Sequence, residues 1–172
     1  MKAFSNLLSD LILTSSRNRK LSLLQLYFSS TPDPDRGYAL AALTGSLNFK
    51  NIKASFFKNL IKEKQDEHLF DLSYDYVGDL AETISLLWDQ EKSGNMPRLS
   101  SLFENLKKAK TDELNNYIIN ILNISTADQR WAFIKLFTGG LRIGVSSRLV
   151  KQALANYCLL YTSPSPRDLQ GS

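Results

Sequence analysis

The chain has 172 residues, 43% of them hydrophobic and 22% charged, with a formal net charge of +4. That length and apolar content suit one folded domain with a real core and exclude a disordered chain. A single cysteine, Cys158, and a single histidine, His68, exclude an internal disulfide and leave too few ligands for a Cys/His zinc site.

Residues 3–13 set Phe4, Leu7, Leu8, Leu11 and Ile12 at helical spacing. Asp10 interrupts what would otherwise be a signal-peptide core, and no apolar run approaches the ~18 residues of a membrane span. A cytoplasmic protein is expected. Thr14, Ser15 and Ser16 supply N-cap candidates for a second helix to about Ser30, with Leu21, Leu24, Tyr27 and Phe28 inward. Its first turn is basic, with Arg17, Arg19 and Lys20. Cations at a helix N-terminus oppose the dipole, so the placement calls for an outside reason such as phosphate contact, or costs a few tenths of a kcal/mol.

TPDPDRG at 31–37 is a break and restart, with Asp33 expected to cap a helix that opens on Pro34. An alanine-rich helix over 38–43 follows. Residues 51–61 then carry Ile52, Phe56, Phe57, Leu60 and Ile61 inward and lysines outward. The cleanest period runs from Tyr74 to Trp88, through Val77, Leu80, Ala81, Ile84 and Leu87, and predicts a central helix. Gly78 within it implies a close helix approach or a helix start at that point. Asp75, Asp79 and Glu82 read as caps and surface charge, since no catalytic partner accompanies them.

DQEKSGNMP at 89–97 reads as a linker between two helical lobes, 1–88 and 98–155. Leu99, Leu102, Phe103 and Leu106 predict one further helix, and Leu114, Tyr117, Ile118, Ile121 and Leu122 another. Ser125 and Asp128 have capping-box spacing at the start of a helix through Trp131, Ile134 and Phe137. No stretch alternates as a strand does. The expected fold is all-α, a multi-helix bundle of two lobes.

The chemistry concentrates in TGGLRIGVSSRLVKQALA at 138–155. Gly139 and Gly140 end an apolar helix, Gly144 follows Arg142, and a new helix begins near Ser146. A helix stop, a glycine-rich turn and a helix start place free backbone N–H groups beside a positive dipole end, which suits an anion. Arg130, Lys135, Arg142, Arg148 and Lys151 surround this stretch against one acid, Asp128, and that sign points to phosphate. A nucleotide P-loop is excluded because Val145 and Ser146 stand where Lys and Ser/Thr are required, and a dinucleotide fingerprint because no strand precedes. The alternative is a pair of helix-ending glycines in a tight corner with merely solvated cations.

TGGLRIGVSSRLV at 138–150, SRNRKLSLLQLYF at 16–28 and LSYDYVGDLAET at 72–83 together resemble the N-terminal helical DNA-binding domain of ATP-dependent DNA ligases of the bacterial type. The resemblance covers about residues 1–155. It implies a domain that grips nicked double-stranded DNA through backbone phosphates and the minor groove, during strand joining in replication, repair or recombination. The DNA-binding residues it implies are Gly139, Gly140, Arg142, Gly144, Arg148 and Lys151, joined by Arg17 and Lys20 from the second helix. A monomer without a membrane partner is expected. Such ligases use ATP and magnesium and form a lysyl adenylate at a KxDG motif. This sequence has no KxDG; Lys110, Thr111, Asp112 and Glu113 come nearest and lack the glycine. No catalytic residue, metal site or cofactor is therefore expected in this chain, and the catalytic domains are expected to be missing from it.

From Asn156 the family pattern ends, and NYCLLYTSPSPRDLQGS reads as a non-native or disordered tail over 156–172. Two other functions stay open on the sequence: a stand-alone helical DNA-binding protein, and a helical protein-interaction domain without a nucleic-acid role.

Overall fold

The computed structural model describes residues 1–92, 94–138 and 144–162, with residues 161 and 162 described by their backbone alone. All regular elements among them are helical: α1 (Lys2–Leu13), α2 (Arg17–Ser30), α3 (Asp35–Leu43), α4 (Ala54–Lys64), α5 (Glu67–Val77), α6 (Leu80–Leu87), α7 (Leu99–Lys108), α8 (Thr111–Ile124), α9 (Ala127–Lys135) and α10 (Ser147–Thr162). Helical apolar spacing accounts for most of this order. Phe4, Leu7, Leu8 and Leu11 of α1 are buried, as are Leu99, Leu102, Phe103 and Leu106 of α7. Ile12 departs from its expected stripe and faces solvent.

The stretches on either side of 89–97 are interleaved. α1 and α6 pack on α9, α2 packs on α10, and α3 touches both α7 and α10. One hydrophobic core therefore spans residues from both stretches. Its densest part is aromatic. Phe137, just beyond α9, meets Phe133 at 5.1 Å, Phe49 at 5.3 Å, Phe57 at 6.2 Å and Phe103 at 6.4 Å between ring centroids, and Tyr38 stacks on Phe103 at 5.5 Å. Edge-to-face and offset pairs at these distances add to simple burial. The rings join α3, α4, α7 and α9 at one place.

A second node forms around Trp88. Its indole N–H donates to Asn123 Oδ1 at 2.9 Å, its carbonyl accepts from Arg130 Nη1, and Lys64 Nζ lies 4.6 Å from the ring centroid. These bonds tie the end of α6 to α4, α8 and α9.

Local capping changes several boundaries. The helix expected over 74–88 is two helices: Gly78 ends α5 in the left-handed region at φ 78°, and Asp79 caps α6 by accepting from Glu82 N at 2.9 Å. A periodic apolar stripe continues across the break because both helices bury against the same core, so period alone conceals it. α3 starts at Asp35 behind Pro34, and Asp33 makes an ion pair with Arg36 at 3.8 Å in place of a cap. The Asp35 carboxylate instead accepts from Ser100 N at 3.0 Å, at the start of α7. The capping box before α9 is Thr126 with Gln129, one position beyond the expected Ser125 and Asp128. Ser125 is buried, and its hydroxyl donates back to Ile121 O. α10 runs through Asn156 to Thr162, and buried Tyr157 extends the stripe of Leu149, Val150 and Ala153. Residues 156–162 of the expected tail are thus helical; residues 163–172 lie outside the described set.

Phe137→Ala removes the ring shared by four others. It is expected to lower unfolding stability by about 3 kcal/mol in a urea titration, while Phe56→Ala, at a half-buried ring, costs clearly less. A second outcome concerns Asp79, which is also ion-paired with Lys135. Burial alone would raise its carboxyl, but the hydrogen bond from Lys135, the Glu82 N–H and the Lys135 charge together hold it below the ordinary value of 3.8. A depressed folded-state value stabilises above the unfolded value and loses that stabilisation as pH falls through the folded one. Asp79→Asn keeps the cap, so the cost should be about 1 kcal/mol at neutral pH, after allowance for solvent screening. That difference should vanish as pH falls below 3.8, which urea midpoints for both proteins across acid pH will check.

Candidate nucleic-acid interface

The turn between α9 and α10 is held at both described ends. Before it, Phe137 is fixed in the aromatic cluster and the Thr138 hydroxyl donates to Ile134 O at 3.1 Å. After it, Gly144 has φ 68°, Ser146 caps α10 by accepting from Leu149 N at 3.1 Å, and Ser147 Oγ donates to Thr44 O at 3.5 Å. A positive φ disfavours any side chain, and a Cβ at Gly144 would stand 2.9 Å from Lys20 Nζ. Gly139, Gly140 and Arg142 lie outside the described residues.

Two distant stretches of sequence meet here. Lys20 Nζ donates to Gly144 O at 2.9 Å, and Arg17 Nη2 donates to Gln152 Oε1 at 2.9 Å. Arg17 and Lys20 therefore have an internal reason for standing at a helix N-terminus: they clamp α2 against the start of α10. Each retains further N–H donors, since an ammonium has three and a guanidinium five. Arg148 and Lys151 are exposed on α10, one turn apart, and Arg19 is exposed on α2. Neither helix has an acid in its first turn.

Two cations expected to serve this surface are used elsewhere. Arg130 is buried beneath Trp88; burial lowers its pKa while nearby Asp89 opposes the change, and its Nε has no hydrogen-bond partner. Lys135 is taken by Asp79. What faces outward from the described part is thus Arg17, Arg19, Arg148 and Lys151, with half-buried Lys20 behind them.

The fold adds residues that sequence reading missed. A cleft of about 440 Å³ beside the turn is lined by Thr44, Gly45, Asn48 and Lys53 from the α3–α4 connection together with Val145 and Ser147. Gln152, the acceptor for Arg17, was missed as well. No local signal joins positions about a hundred residues apart; only the packing of α10 on α2 and α3 does so.

The geometry suits a polyanion that lies along a surface. Cations on two neighbouring helices and the start of a helix can meet phosphate oxygens without reading bases. Among the described residues no group of three or more His, Cys, Asp or Glu could hold a metal ion, and no helix is long and apolar enough to cross a membrane. In comparison with known proteins, residues 1–155 match the family described as "DNA ligase N terminus". No curated protein matches the chain.

Gly144→Ala combines a strained φ with crowding of the Lys20 ammonium. It should lower the stability of the chain by about 1–2 kcal/mol in denaturant titration; an unchanged midpoint would show that the turn relaxes freely.

Proposed function

Because the chain belongs to the DNA ligase N-terminal family, in its ATP-dependent branch, we propose that it binds nicked duplex DNA and holds it for strand joining. The observation that carries this reading is the meeting of α2 and α10, where Lys20 bonds Gly144 and Arg17 bonds Gln152 while Arg148 and Lys151 stay outward. Arg148 and Lys151 engage successive phosphates, Arg17 and Lys20 support them from α2, and Gly144 lets the DNA backbone come close. Gly139, Gly140 and Arg142 complete the same contact in this reading. Contacts of this kind position the duplex and are tolerant of sequence.

The adenylate chemistry of the family needs a KxDG lysine that these 172 residues do not contain. No step through ATP or a metal is assigned to this chain. Its part is to bind and orient, as a cytoplasmic monomer, in replication, repair or recombination.

Fluorescence anisotropy of a labelled nicked duplex, titrated between about 50 and 200 mM salt, tests the assignment. The logarithm of the binding constant should fall linearly with the logarithm of salt concentration. Arg148→Glu combined with Lys151→Glu should weaken binding at low salt and make the slope shallower by about 2. Equal affinity and equal slope for the double variant would remove α10 from the interface, and no binding by the parent chain would remove the function.

A further inference from the structure

The hairpin of α5 and α6 has the opposite character to the α2–α10 surface. α5 buries a single residue, Phe70, although it also carries Leu69, Leu72 and Tyr76. Those three are 46%, 56% and 93% exposed, and Leu86 of α6 is 65% exposed. Between the helices runs a groove of about 320 Å³, lined by Leu72, Tyr76, Val77, Thr83, Leu86 and Leu87. Isolated exposed leucines are ordinary, but a contiguous apolar groove with a fully exposed tyrosine marks an interaction surface.

The charge around the groove states what kind of partner fits. From Asp66 to Trp88 there is no Lys or Arg, in a chain whose net charge is +4. Asp71 adjoins Leu72, Asp75 adjoins Tyr76, and Glu82 stands one turn before Leu86. None of these three acids takes part in an ion pair among the described residues. The cations that α4 brings to α5 are already engaged, Lys58 over the Tyr74 ring at 5.3 Å and Lys62 with Glu67 at 2.9 Å. Duplex DNA is repelled by such a rim, and a basic partner is attracted.

We propose that the α5–α6 groove docks a basic amphipathic helix of a protein partner, whose apolar side chains fill the groove while its Lys or Arg residues meet Asp71, Asp75 and Glu82. Two helices diverging from Gly78 leave a trough into which a third helix fits with anchors at i, i+3 or i+4, and i+7. The inference is independent of the DNA-binding reading, because it uses none of the same residues.

The test uses the full chain and two labelled probes of about four helical turns, one of leucine and lysine and one of leucine and glutamate in the same amphipathic pattern. The lysine peptide should bind, the glutamate peptide should not, and hydrogen exchange should slow over residues 67–87 only with the former. Tyr76→Ser with Leu86→Ser, both exposed, should keep the urea midpoint and the affinity for nicked DNA yet weaken lysine-peptide binding at least about tenfold, or 1.4 kcal/mol. Asp71→Lys, Asp75→Lys and Glu82→Lys together should reverse the preference between peptides. Equal binding of both peptides, or unaltered binding by the serine variant, would overturn the proposal. So would sedimentation showing a dimer of the parent chain that the serine variant abolishes, since the occupant would then be a second copy.

Discussion

The packing of aromatic rings around Phe137 is the constraint on which the rest of the structure depends. One ring just beyond α9 touches Phe49, Phe57, Phe103 and Phe133, which come from the α3–α4 connection, α4, α7 and α9. Such rings pack only in a few relative orientations, so fixing one fixes the approach of every element that carries another. Thr138 follows directly, its hydroxyl bonded to Ile134 O. Past residues 139–143, a Ser146 cap and a Lys20 hydrogen bond hold the start of α10 against α2. The cations of the candidate interface thereby stand on a defined backbone.

Charge is then sorted by depth and by element. Arg130 and Lys135 look like surface cations in sequence, yet the first supports the Trp88 carbonyl from within the core and the second neutralises the cap of α6. Both act as braces. Arg17, Arg19, Arg148 and Lys151 stay outward on α2 and α10, whereas α5 and α6 expose Asp71, Asp75 and Glu82 beside exposed apolar side chains. A mild net charge of +4 therefore conceals two surfaces of opposite sign. The signs of the two surfaces differ, so the two proposed ligands would not compete for one site.

Helix positions were legible wherever one apolar stripe met one helix. α1, α2, α7 and α8 follow their spacing closely, since burial of a stripe is a period that sequence displays directly. Boundaries were less legible, because they depend on which backbone group a short polar side chain reaches. Thr126 rather than Ser125 caps α9 because Ser125 is already turned inward to Ile121 O. Gly78 splits a stripe that looked continuous from Tyr74 to Trp88. Tyr157 carries the stripe of α10 past Asn156, although the sequence beyond residue 162 turns to Ser-Pro steps. In the candidate site, Arg17, Lys20, Gly144, Arg148 and Lys151 were legible as charge and glycine placement. Gln152 and the Thr44–Asn48 segment were not, having no property that distinguishes them in isolation.

By itself the sequence determined the class of fold, the family over residues 1–155 and the absence of a KxDG lysine, since these reside in local period, local motif and residue identity. Tertiary structure alone decided which cations remain free. Whether a guanidinium faces a phosphate or a buried carbonyl depends on which helices lie beside it, and that follows from packing among residues far apart in the chain. The same holds for the α5–α6 groove: nothing in the sequence marks Leu72, Tyr76 and Leu86 as exposed, and only the packing of the helices leaves them so.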